Sequence, residues 1–155
     1  MSYTIIKCYC LFVPYVFDHE KLDVYVVELE FVGWIALLFD DFSQSTVRQK
    51  RELMDQLDRA SLSVLLNTAE GNGKRPGRQR AKAFDDARGS ALECAACLDA
   101  SVAKRIVAKD RIREGKEMLV RIVAMLTRMV DLFDTDEPRI REDYSYLNSS
   151  SSSSS

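Results

Sequence analysis

Ser63-Val64-Leu65-Leu66-Asn67-Thr68-Ala69-Glu70-Gly71-Asn72-Gly73-Lys74-Arg75 reads as the end of one amphipathic helix, a glycine stop, and a basic start to the next helix. Gly71 and Gly73 can take the positive φ that closes a helix without steric cost. Five cations, Lys74, Arg75, Arg78, Arg80 and Lys82, follow within nine positions with no acid among them. The strongest charge cluster of the chain is therefore expected at a helix–helix corner.

Outward from that corner the hydrophobic spacing stays helical. On the N-terminal side, Leu53, Leu57, Ala60, Val64 and Thr68 give the inner face of a second helix. Thr46 followed by Gln49 fits a capping box at its start, and Gly71 is its expected stop. Before it, Leu22, Tyr25, Leu29, Val32, Ala36 and Phe39 step by three and four, a seam of coiled-coil type. Val26, Gly33 and Leu37 widen that stripe into a core-facing first helix, which Asp40-Asp41-Phe42-Ser43 should end. On the C-terminal side a third helix is expected from Pro76 or Gly77. Its inner face is Phe84, Ala87, Ala91, Ala95, Leu98, Val102 and Ile106. The small side chains of Gly89-Ser90-Ala91 should let a neighbouring backbone approach, offsetting the roughly 1 kcal/mol that a mid-helix glycine costs. A fourth helix after Asp110 runs through Ile112, Gly115, Leu119, Ile122, Leu126, Met129 and Phe133, with Pro138 beyond its end. Four amphipathic helices with short connections predict an all-α fold, an antiparallel up-and-down four-helix bundle.

The 155 residues suit one domain with tails: residues 1–17 as an N-terminal extension, 18–135 as the bundle, and 136–155 as a serine-rich tail. The first seventeen residues are apolar, but Pro14 interrupts them and no A-x-A cleavage site follows. The run is too short to span a bilayer, so the expectation is a loose or strand-like extension, or sequence translated from upstream of the natural start. Asn148 leads into seven serines, which can bury nothing. A net charge of −2 hides a polarity. Residues 8–45 carry seven acids and one base, 46–128 carry eighteen bases and eleven acids, and 129–155 carry six acids and two bases. A pI near 5.5 argues against a chain that is basic throughout, yet leaves room for a basic face on the middle helices. The four cysteines, Cys8, Cys10, Cys94 and Cys97, do not form a secreted disulfide pattern. The C-x-x-C reads as small apolar residues on a packed helix rather than half of a metal site. A cytoplasmic protein with no membrane segment is expected.

Several segments in order carry a resemblance. Leu22-Asp23-Val24-Tyr25, then Gln56-Leu57-Asp58-Arg59-Ala60-Ser61-Leu62-Ser63-Val64, then Asn67-Thr68-Ala69-Glu70-Gly71-Asn72-Gly73-Lys74, then Ala87-Arg88-Gly89-Ser90-Ala91-Leu92-Glu93 stand in sequence. Over roughly residues 20–134 they resemble the four-helix bundle proteins encoded in intervening sequences of bacterial 23S ribosomal RNA genes. The middle segments are similar to that family's Q-L-x-R-A-x-x-S-I, N-I-A-E-G-x-G-[KR] and A-x-G-S-x-x-E. Three positions depart from it: Leu66 replaces a common proline, Thr68 an isoleucine, and Asp58 a frequent arginine, which weakens any basic surface along the second helix. The resemblance implies a small cytoplasmic homo-oligomer, a ring of five or another number. Relatives of the family include the accessory variability determinant of diversity-generating retroelements, a basic ring that works with a reverse transcriptase and RNA. The resemblance thus implies a fold and an assembly, and no reaction.

Two functional readings follow. In the first, Lys74, Arg75, Arg78, Arg80 and Lys82 neutralise RNA or DNA phosphates at a helix N-terminus, joined by Lys104, Arg105, Lys109, Arg111 and Arg113. A ring would multiply such a patch by avidity. The only aromatic near the corner cations is Phe84, which lies on the core stripe, so base stacking is not expected. In the second, the chain is a protein-interaction scaffold and the basic corner is a solvated turn. A chain that persists with its genetic element and serves no host function is a third possibility. Arg59, Asn67, Glu70, Arg88 and Glu93 are expected as a structural polar network between the second and third helices. Within it Arg88 should pair with Glu70 or Glu93, because a buried charge needs a partner. Catalysis is not expected. The single histidine, His19, lies off the inner stripes, no pair of E-x-x-H motifs exists, and Asp40-Asp41 and Asp85-Asp86 lack further ligands. Gly71 and Gly73 do not follow a strand or keep Walker spacing, so they make no phosphate loop. No metal or cofactor is expected.

Overall fold

A computed structural model describes residues 17–40 and 48–134, and within them the chain runs as four α-helices. These are α1 (Asp23–Asp40), α2 (Arg48–Gly73), α3 (Arg78–Ala103) and α4 (Arg113–Phe133). A 3-10 turn, Asp18–Lys21, precedes α1, and another, Lys109–Ile112, leads into α4. The expected cap at Thr46, the stop at Asp41–Ser43 and both tails lie outside the described residues.

Neighbouring helices pack in cyclic order, α1 on α2, α2 on α3, α3 on α4, and α4 back on α1. They run antiparallel. Gly71 of α2 meets Phe84 near the start of α3, and Ser63, farther back in α2, meets Ser90, farther along α3. In the same way Lys116 reaches Asp99 while Phe133 meets Phe84. Phe31 and Ile35 from α1, Val64 from α2, Phe84 and Leu98 from α3, and Leu119, Ile122 and Leu126 from α4 are the centre of the core. Each such side chain contributes roughly 1.5–3 kcal/mol on burial. The inner faces expected for α2, α3 and α4 are the faces that turn inward.

The inner face expected for α1 is not. Val24, Val27, Glu28, Phe31, Ile35 and Leu38 are buried instead. Of the expected seam, Leu29 and Ala36 are exposed, and Leu22, Tyr25, Val32 and Phe39 are only half-buried. The cause is that α1 is apolar nearly all round, so two stripes with three–four spacing exist on it. The seam that avoided Glu28 was the outer one.

The glycines also act differently from expectation. Neither Gly71 nor Gly73 has a positive φ, and α2 runs through both to Gly73. Gly71 permits a close approach: a Cβ there would lie 2.7 Å from Cε1 of the buried Phe84 ring. The positive φ falls at Gly77, 129°, whose carbonyl accepts the N–H groups of Arg80 and Ala81 to start α3. Gly89 faces open space, and close packing on that helix comes from the fully buried Ala87 and Ala91. On α4, Gly115 makes room for the Trp34 ring of α1.

Candidate functional site

An apolar cavity of about 20 Å³ lies between Leu38, Leu53, Leu57 and Cys97, far below the several hundred Å³ that a small-molecule site occupies. Among the described residues no group of three His, Cys, Asp or Glu side chains is placed to hold a metal ion. Cys94 and Cys97 are buried, and burial pushes the Cys94 thiol up to about 12, which keeps it protonated and inert. Cys8 and Cys10 lie outside the described residues. His19 is packed between Phe17 and Tyr25 in the first 3-10 turn.

At the α2–α3 corner the five cations do not form one open cluster. Lys74 Nζ lies 2.6 Å from Glu70 Oε1, one turn back on α2. Lys82 Nζ lies 2.6 Å from Asp86 Oδ2, and that hydrogen bond raises the lysine pKa. Arg80 turns inward. Its Nη2 donates to Asn72 Oδ1 at 2.9 Å, and its guanidinium sits 4.4 Å from the centre of the Phe133 ring. Arg80 Nε is buried with no partner. This side chain ties the end of α2, the start of α3 and the end of α4 together, a packing role rather than the solvent-facing one expected. Arg75 and Arg78 are exposed.

The five residues expected as a polar network do not form one network. Arg59 donates to Gln56 on its own helix, and Glu70 is taken by Lys74. Arg88 finds an acid, but it is Asp85, one turn back on α3, through Nε at 3.0 Å. Neither Glu70 nor Glu93 is its partner, because an i−3 carboxylate on the same helix face lies nearer than either. Glu93 is exposed. Only Asn67 takes part in a link between helices: it donates to Ser63 Oγ, which lies 2.9 Å from Ser90 Oγ of α3.

The second basic group lies at the other end of the bundle, because α3 separates the two by 26 residues, about 39 Å of helix. Lys104, Arg105, Lys109, Arg111 and Arg113 are all exposed there.

Two features escaped the sequence reading. Glu28 is 1% exposed in the core; its Oε1 accepts from Thr68 Oγ1 at 2.7 Å and its Oε2 has no partner. Burial pushes its carboxyl up to about 8 against the opposing effect of the Thr68 hydrogen bond. The other is the outer face of α1, where Val26, Leu29 and Leu37 are 41%, 38% and 58% exposed. Gly33 and Ala36 lie exposed between them. The signal for both was present: an acid inside an apolar helix that has two usable stripes.

Residues 20–128 match the sequence profile of the family described as 23S rRNA-intervening sequence protein. That span begins in the first 3-10 turn and ends inside α4, so it includes both basic ends and the whole outer face of α1. The chain belongs to this family. The four helices expected from the resemblance to intervening-sequence proteins are thus the four observed. No curated protein matches the chain. Among the described residues of this intervening-sequence protein, no helix is long and apolar enough to cross a membrane.

Proposed function

We propose that this intervening-sequence protein is a non-enzymatic, self-associating helical module whose α1 outer face meets a second copy of the chain. The observation that carries this reading is the row of Val26, Leu29 and Leu37 left exposed on a helix with a second, buried apolar stripe. A helix apolar on all sides is stable when both sides are covered. The adjacent α2 adds exposed Leu62 and Leu66. Exposed apolar surface of this kind, where it is contiguous, marks an interface.

The full chain should therefore run at a multiple of 17.6 kDa in sedimentation velocity. A Leu29→Gln, Leu37→Gln double variant should fall to monomer with unchanged helical circular dichroism, since both side chains are exposed. A wild-type monomer at tens of micromolar, or an assembly indifferent to the double variant, would remove this reading.

Phosphate contact at the α2–α3 corner is a second reading, favoured by the exposure of Arg75 and Arg78. Lys74, Arg80 and Lys82 are each engaged within the chain.

A further inference from the structure

We infer that the α3–α4 end of the bundle, built from Lys104, Arg105, Lys109, Arg111 and Arg113, is a nucleic-acid phosphate-binding surface. Ten consecutive residues, 104–113, hold these five cations and one acid, Asp110. All five are exposed, and among the described residues Lys104, Arg105, Lys109 and Arg113 stand in no ion pair. At the α2–α3 corner, by contrast, Lys74, Arg80 and Lys82 are spent on intramolecular partners.

Backbone hydrogen bonds fix the turn that carries Arg105. Arg105 N–H donates to Val102 O at 2.9 Å and Ile106 N–H donates to Ser101 O at 2.9 Å. Those two bonds make a Schellman closure of α3, with Arg105 at the position where glycine is usual. Its φ is 56°, a left-handed conformation that an L side chain adopts at a cost. Val107 and Ile112 are buried beneath the turn and fix it to the core. The chain thus keeps an arginine where a glycine would close the helix without strain, inside a rigid basic turn.

The chemistry favours nucleic acid over a protein or a lipid surface. Residues 104–113 contain no aromatic, and their larger apolar side chains are turned inward: Val107 and Ile112 are buried and Ile106 is half-buried. The end therefore lacks the apolar or aromatic anchor that carries a protein interface. It likewise lacks a side chain to insert among acyl chains. What remains is a cluster of exposed cations, the side-chain chemistry that neutralises phosphates. Binding should be indifferent to sequence and strongly dependent on salt. The inference does not require self-association, although assembly would repeat the surface.

The test is fluorescence anisotropy of the full chain with labelled RNA and DNA, single-stranded and duplex, between 50 and 200 mM salt. Four phosphate contacts predict an affinity loss on duplex of about a hundred-fold across that range. Arg105→Gly should lower the log–log salt slope by about 0.9 and weaken binding to every sequence alike, while the protein melts at a higher temperature. Lys104→Ala, Lys109→Ala and Arg113→Ala added to it should abolish binding with helicity intact. The RNA and DNA arms identify the polymer. If Arg105→Gly melts higher and binds as before, the arginine serves no phosphate and the inference fails. If binding is instead lost in an Arg75→Ala, Arg78→Ala variant and kept in the α3–α4 variant, the corner reading survives and this one falls. Binding to anionic vesicles or an acidic protein alone, with no nucleic acid bound, would likewise overturn it.

Discussion

Glu28 is held in the core with one oxygen on the Thr68 hydroxyl and the other without a partner. Burial makes its charged form unfavourable, so its carboxyl is pushed up from the usual range to about 8. In the unfolded chain the same group titrates near its ordinary value. Between about pH 4.5 and 8 the folded state therefore binds more protons than the unfolded state, and stability falls as pH rises. Below that window Glu28's contribution is fully present, and above it is gone. Glu28→Gln keeps the shape and the Thr68 contact and cannot ionise. Urea unfolding at pH 9 should show the variant more stable than wild type by at least one pKa unit's worth, about 1.4 kcal/mol. At pH 4 the two should nearly coincide. A constant difference across that range would show that the carboxyl titrates in the fold as it does in the unfolded chain, with no upward shift.

Between elements, the α2–α3 pair is held by the glycine at 71 and by the Ser63–Ser90 contact. Gly71→Ala would ordinarily gain up to about 1 kcal/mol of helix propensity. Here the added methyl meets the fully buried Phe84 ring, which itself lies tilted against Phe133 and is covered by Arg80. Overpacking of that kind costs typically about 1–3 kcal/mol. The net expectation is a destabilised protein by thermal unfolding, against the sign that helix propensity alone predicts. Helix α1 gives the other lesson at this scale. Its three–four spacing was readable, but spacing names a period and not a direction. With apolar residues on both sides, only contact with α2 and α4 selects Phe31, Ile35 and Leu38 as core. The fate of the corner cations is similar. Lys74 and Lys82 pair with acids four residues away, which sequence spacing already suggests. Arg80 packs on Phe133, brought to it only by the return of α4.

At the scale of the whole molecule, self-association links stability to concentration. If copies meet through α1, the assembled state binds the folded chain and not the unfolded one. The melting temperature should then rise with protein concentration over a hundred-fold range, and Leu29→Gln, Leu37→Gln should abolish the rise. A melting temperature independent of concentration would mean that the exposed row on α1 stays uncovered. Such an assembly would also bring the basic ends of several bundles together, making weak contacts cumulative.

The number of helices, the places where three of them begin and end to within two or three residues, and the core faces of α2, α3 and α4 were all legible in the chain. These follow from apolar period and from turn-forming residues, which are local properties of neighbouring positions. The family was legible too, because its segments are contiguous. The direction of α1, the burial of Glu28, the true task of Gly71 and the inward turn of Arg80 were settled by tertiary structure alone. Each depends on which distant side chain arrives opposite it when four helices close around one core, and no local spacing carries that information.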